Sequence, residues 1–336
     1  YCPADNSMTL TSEDIYGDIR ATEDTGLRAT LEVRYDLDLP SALEKNRDHR
    51  RPDTVRCRTN TRVRLTTGSP VVEVETHFDN LARDHRLRAV FPSRVVTETV
   101  VSDGHFLLNE RPIDTPDGTG WVQPPPTTYP QQGYSLVSDG ERGLAVLNRG
   151  LPEFEVHRDD EGRATLALTL LWCVGWLSRD DFSSRNNANA GPTLHTPEAQ
   201  CEGRHRFRYA VVPFAGDHIE AGVTESSLRF RTQVLTKQGV RDGSVPGGTG
   251  LLEKSCAATR VSAVKKHETR DTLVIRLYNM TGAPAEEALR FGADVSSAWR
   301  TDLLEERLSE LATAGPRELR LDIEPHEIVT IEVEFA

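Results

Sequence analysis

The residues best equipped for chemistry sit in one polar stretch, 178–200, directly after the most apolar run of the chain, 166–177. The stretch holds two adjacent carboxylates, Asp180 and Asp181, with Arg179, Arg185, Asn186, Asn187 and Asn189 around them. Paired carboxylates do acid–base work on glycosides when they stand roughly 5 to 9 Å apart. Planar guanidinium and amide groups match sugar hydroxyls and carboxylates. A long loop on a rigid sheet is a common carrier of such groups. The same groups are equally suited to capping the loop's own backbone, and the residues alone leave both roles open.

Other candidates are weaker. Asp159 and Asp160 fall in an Arg-Asp-Asp-Glu-Gly turn and read as solvated. His195, Cys201 and His205 lie close in sequence, but His205 opens a strand-like segment. Four extended residues span about 13 Å, too far for two ligands of one ion, so no metal site is expected in this chain. A nucleophile elbow, a Walker loop, a dinucleotide fingerprint and an HExxH pair are all absent. The glycines of 239–250 lack the Lys-Ser/Thr that would make them a phosphate cradle.

The elements that must position the loop read as β. Residues 62–65 and 71–78 flank Gly68-Ser69-Pro70 and predict a hairpin. Residues 134–137 with 144–147, and 153–157 with 164–171, predict two more around Gly-containing turns. Residues 164–177 are apolar on both parities, as in a strand buried on both faces. Short strands are expected at 87–91, closed by Pro92, at 95–101, at 206–214 and at 228–234. Residues 112–130 form a long Pro- and Gly-rich loop holding Trp121 and Tyr129. Past the glycines, 260–264, 272–278, 318–323 and 328–335 are strand-like, and 303–311 is ambiguous with partly helical spacing. The expected organisation is a large domain over 1–225, a strand plus Gly-rich linker over 226–254, and a small β-sandwich over 255–336.

With 336 residues the chain suits about two domains and has ample length for a core. Its formal net charge of −12 argues against nucleic acid as a partner. The longest apolar run, 166–177, is too short for a bilayer crossing, so no membrane partner is expected. Asp5, Glu13, Asp14 and Asp18 occupy the region where a signal peptide would be apolar. Five scattered cysteines without a CxxC point to a reducing, cytoplasmic setting.

The segment 168–214 resembles the C-terminal region of bacterial glycoside hydrolase family 38, the α-mannosidases and mannosylglycerate-hydrolase-like enzymes. The residues that carry the resemblance are Leu177-Ser178-Arg179-Asp180, Arg185, Ala190-Gly191-Pro192, Thr196-Pro197 and Gln200. Asp79-Asn80, Asp84-His85-Arg86-Leu87-Arg88, Phe91-Pro92, Gly143-Leu144-Ala145 and Gly150-Leu151-Pro152-Glu153 agree in order. So do Ser262 to Lys265, Arg276-Leu277-Tyr278-Asn279 and Pro325-His326-Glu327-Ile328. The resemblance implies an all-β fold: a galactose-mutarotase-like supersandwich followed by a small β-sandwich. It further implies that zinc, the nucleophilic Asp and the acid/base residue of a retaining α-mannosidase lie in an N-terminal barrel missing here. The opening Tyr1-Cys2-Pro3 reads as mid-domain sequence, so a C-terminal fragment is expected, inactive alone. Its expected partners are that catalytic barrel in the same polypeptide and a mannose-containing carbohydrate. By motif position Arg179, Asp180, Arg185 and Asn189 are the candidate substrate-closing residues, with no catalytic residue and no cofactor in this chain. Asp180 reads equally as an ion-pair partner of Arg185.

Three other readings stand beside this one. A stand-alone carbohydrate-binding β-sandwich would stack sugars on Trp121, Tyr129 or Tyr134. A mutarotase or epimerase would need His77 or His85 facing a carboxylate. A purely structural domain would only shield the barrel.

Overall fold

The computed structural model describes residues 8–179, 190–238 and 250–336. Asp180, Arg185, Asn189 and the Gly-rich stretch 239–249 lie outside the described residues. The described chain divides into two compact units. The first runs to Asp103 and over Glu110–Thr232, and the second takes Gly104–Asn109 and Gln233–Ala336.

In the first unit the chain forms β1 (Asp18–Asp24), β2 (Arg28–Pro40), β3 (Thr54–Thr66), β4 (Val72–Asn80), β5 (Arg86–Val96), β6 (Thr99–Asp103) and, from Glu110 on, β7 (Leu108–Pro112). Then follow β8 (Thr128–Pro130), β9 (Tyr134–Ser138), β10 (Arg142–Asn148), β11 (Glu153–Arg158), β12 (Arg163–Trp172) and β13 (Gly203–Ala215). A nine-stranded sheet has the order β1-β2-β3-β4-β13-β10-β9-β6-β7, and a four-stranded sheet the order β5-β12-β11-β8. Their facing side chains merge into one core, with Val74, Phe78 and Phe207 from the large sheet meeting Phe154, Leu166 and Leu168 from the small one. The three expected hairpins are present as β3/β4, β9/β10 and β11/β12.

β12 is buried on both faces, and the second face shows why. Opposite Ala167 lies Glu155, a nearly buried carboxylate that accepts from Arg86 at 3.0 Å and also from Arg88. Arg88 lies across from Thr169 of the strand, and the Arg86 guanidinium sits 5.2 Å from the Trp172 ring centroid. Burial works to raise the Glu155 pKa, but hydrogen bonds from His157 and Thr127 and the charge of Arg86 outweigh it and hold it at about 2.

Three local readings are corrected. Pro92 does not close a strand: β5 runs through it to Val96, because β5 is an edge strand, where a residue without an N–H is tolerated. Residues 95–101 therefore belong to two strands, β5 and β6. The expected strand at 228–234 is instead the end of a helix, α1 (Val223–Arg231). The helix starts after Gly222, whose φ of 70° suits a residue without Cβ. Its buried residues are Val223, Thr224 and Ser227, and Thr224 Oγ1 meets the buried Tyr134 hydroxyl at 2.8 Å.

The second unit holds β14 (Leu252–Lys254), β15 (Thr259–Lys266), β16 (Leu273–Asn279), β17 (Ala285–Phe291) and β18 (Val295–Thr301). It continues with β19 (Arg307–Glu310), β20 (Thr313–Gly315), β21 (Glu318–Ile323) and β22 (Ile328–Phe335). Sheets β14-β17-β21-β20 and β15-β16-β22-β18-β19 enclose a core of Ile275, Leu277, Leu289, Leu319 and Ile331. The ambiguous 303–311 stretch is a turn leading into β19, not a helix. The architecture is all-β: a two-sheet supersandwich followed in sequence by a small β-sandwich.

Candidate functional site

The polar loop leaves the sheet at the end of β12 and returns at the start of β13, and its neck is zipped shut. Cys173 N donates to His85 O at 2.8 Å, Val174 N to Ala199 O at 3.0 Å and Thr196 N to Gly175 O at 2.8 Å. Trp176 and His195 form an isolated antiparallel bridge. Nearer the tip, Ala190 N donates to Ser178 Oγ at 3.2 Å. The two limbs are thus paired up to Ser178.

Two buried amides bolt this neck to the β4–β5 connection. Gln200, on a short 3-10 turn Pro197–Gln200, accepts from Asp84 N at 2.8 Å and donates to Asp84 Oδ1 at 2.7 Å. Asp84 Oδ2 also accepts from Leu43 N at 3.3 Å. The fully buried Asn80 donates to Gln200 O at 3.1 Å and Cys201 O at 2.8 Å. A buried amide with its partners satisfied holds one geometry, since leaving it unpaired costs about 1–3 kcal/mol. His85 packs edge-on to Phe78, with Nε2 4.0 Å from Cys173 Sγ. Burial and the nearby Arg50 push His85 down to about 4. It is neutral near pH 7.

Above the neck, Trp176 gathers cations. The Arg179 guanidinium lies 4.4 Å and that of Arg47 5.1 Å from its ring centroid, with the His195 ring at 4.9 Å. Leu177 and Leu194 are exposed beside it. Of the four candidate substrate-closing residues, Arg179 alone is described, half-buried on this platform; Asp180, Arg185 and Asn189 lie outside the described residues. Asn80, Asp84 and Gln200 carried the family resemblance in the sequence, yet their anchoring role was unreadable there. Trp176 was passed over as part of an apolar run. Arg47 sits in a polar stretch, 44–51, with nothing to single it out.

The other candidates separate. His205 Nε2 lies 2.6 Å from Cys201 O, and the His195 ring packs at a tilt of 52° against Trp176. Among the described residues no group of three or more His, Cys, Asp or Glu is placed to hold a metal ion. His77 Nε2 lies 3.0 Å from Glu75 on an exposed face. Burial works against the Glu75 charge, but hydrogen bonds from Arg206, His77 and Arg208 hold its pKa at about 2, too low for an acid/base. Of the aromatics, Tyr134 is fully buried and Tyr129 packs between Phe154 and Arg111, leaving Trp121 exposed. These three do not make a stacking platform. Cys57, Cys173, Cys201 and Cys256 are free thiols, and no helix among the described residues is long and apolar enough to cross a membrane.

Residues 258–331 match the "Glycosyl hydrolases family 38 C-terminal beta sandwich domain". Over 98% of its length the chain is 28% identical to the "Putative mannosylglycerate hydrolase" of Halalkalibacterium halodurans, of which it spans 36%. It is 25% identical to mouse alpha-mannosidase 2C1 over 72% of this chain and 21% of that protein. The crystal structure of an alpha-mannosidase from Enterococcus faecalis V583 superposes on 97% of this chain with a TM-score of 0.80 and 25% identity. This chain covers 36% of that one. The chain therefore spans about a third, or less, of the relatives it matches.

Proposed function

Since this chain is a C-terminal region of the glycosyl hydrolase family 38 type, we propose that it is the accessory, substrate-closing part of a retaining α-mannosidase. The observation that supports this most is coverage: nearly all of the chain superposes on an alpha-mannosidase of which it spans 36%. In this reading the nucleophilic carboxylate, the acid/base residue and the zinc belong to the upstream catalytic part, and this chain supplies no catalytic group. Its contribution is the loop. The buried Asn80 and Gln200, with Asp84, hold the neck rigid, and Arg179 on Trp176 marks where the tip begins. Arg179, Arg185 and Asn189 then offer fork-shaped donors to sugar hydroxyls, with Asp180 binding sugar or holding Arg185. A glycoside enclosed this way is positioned and shielded from water. The free thiols fit a reducing, cytoplasmic setting.

The test is Arg185→Ala in the polypeptide extended upstream to its natural start. With an aryl α-mannoside, kcat/KM is expected to fall about 10- to 100-fold, the range for losing a charge-assisted contact of about 1.5–3 kcal/mol. The unfolding midpoint should stay unchanged. An unaltered rate would remove the loop from the sugar site and leave it a packing element.

A further inference from the structure

The first unit carries an apolar sheet face that none of its described residues fully covers. Where β2, β3 and β4 lie under the small sheet, Leu37, Cys57 and Phe78 are buried. Toward the other end of the same strands the cover stops. Ile19 is 64% exposed, Leu31 47% and Leu65 51%. The register sets these on one continuous face: Ile19 pairs with Val33, Ala21 with Leu31, Leu31 with Val63, and Leu65 with Ala29.

The opposite face of these strands is polar and carries its own ion pairs. Glu32 accepts from Arg34 at 2.6 Å, Asn60 at 3.0 Å and Arg62 at 3.3 Å, and Glu23 from Arg28 at 2.7 Å. The free edge is also protected. β1 carries Asp18, Arg20, Glu23 and Asp24 and has a register break between Ala21 and Glu23. Charges and bulges on an edge oppose strand addition. The apolar face has no such pairing, and contiguous exposed apolar surface of this kind marks an interaction site.

We propose that this ledge of Ile19, Ala21, Leu31, Val33, Val63 and Leu65 is the seat of the upstream polypeptide, packed face-on through an apolar element of its own. The occupant follows from length and order, and rests on the function proposed above. The relatives are nearly three times as long, and the family's C-terminal domain matches 258–331 of this chain, so their extra length precedes it. A chain arriving from upstream is tethered at Ile15, which packs against the first unit's core three residues before β1. Such a tether makes docking intramolecular, with a high effective concentration.

The experiment introduces Leu31→Cys, or Leu65→Cys should the first variant fail to fold, into this chain and into the upstream-extended polypeptide. Maleimide labelling is followed peptide by peptide, with Asp160→Cys as the exposed reference. Labelling at position 31 is expected to be at least tenfold slower in the extended polypeptide, with the reference unchanged. Equal rates in the two polypeptides would overturn the proposal. So would slow labelling of this chain alone that strengthens with its concentration, since a second copy would then occupy the ledge. An extended polypeptide that protects position 31 but cleaves no α-mannoside would sink the functional reading and not this one. An active polypeptide with a freely labelled position 31 would do the reverse.

Discussion

Replacing Glu332 by Gln is expected to cost the second unit about 3 kcal/mol, the largest effect of any single substitution considered for this chain. Glu332 lies on the central strand β22, and its side chain is fully buried. Arg270 donates to its two oxygens at 2.8 and 2.8 Å, Arg307 at 3.0 and 2.8 Å, and Thr272 at 2.7 Å. Burial works to raise the Glu332 pKa, but hydrogen bonds from Arg307, Arg270 and Thr272 overcome it, and its carboxyl stays well below the usual carboxylate range. A glutamine keeps the volume but turns one acceptor into a donor facing two guanidiniums. Breaking a buried pair costs about 3–5 kcal/mol, and the lower end applies because each arginine side chain is about one-third exposed and can rehydrate. Arg307 lies 3.4 Å from the Trp299 ring centroid, so the fluorescence of that tryptophan reports the site directly. Denaturant unfolding followed by Trp299, in a background where the other tryptophans are changed to Phe, should show the loss. A change below about 1 kcal/mol would mean that the two arginines need no buried anion between them.

The second large effect is on pH dependence, through His85. The folded pKa is lowered to about 4 from an ordinary 6.5. Between those values the unfolded chain binds a proton on His85 that the folded chain does not. The contribution is therefore complete above about pH 6.5 and is lost as pH falls through the window to 4. The gap amounts to about 3 kcal/mol, of which about 2 should disappear between pH 7 and pH 5. His218 is also pushed down by burial and adds in the same direction. Unfolding free energies of the wild type and His85→Gln, measured at both values of pH, should differ in their slope by that amount. Parallel slopes would show that His85 is accessible to protons in the folded loop neck. Because His85 lies against Cys173 and the Asn80–Gln200 bolt, its protonation loosens the base of the loop as well as the core.

Much of the architecture was visible in the sequence. The hairpins announced themselves because turn clusters such as Gly68-Ser69-Pro70 separate alternating runs. β12 stood out because small and branched apolar residues fill both parities. Strands β2 and β3 were largely invisible, since their outer faces carry Arg28, Arg34, Arg58, Arg62 and Asp36 and most of their inner residues are only half-buried. α1 was misread because its inward residues include Thr224 and Ser227, while Leu228, Phe230 and Val234 alternate as a strand would. A short helix seated by hydroxyl contacts leaves no hydrophobic period to find. The candidate loop was legible in composition and position. Its anchorage was not, because Asp84 and Gln200 are 116 residues apart and no spacing rule connects them.

In the function proposed here this chain completes an α-mannosidase without containing its catalytic groups. The direct measurement is turnover of an aryl α-mannoside by this chain and by the polypeptide extended upstream, at equal concentration. No turnover is expected from this chain, and steady hydrolysis with retained anomeric configuration from the longer one. Hydrolysis by this chain alone, or none by the extended polypeptide, would contradict that function.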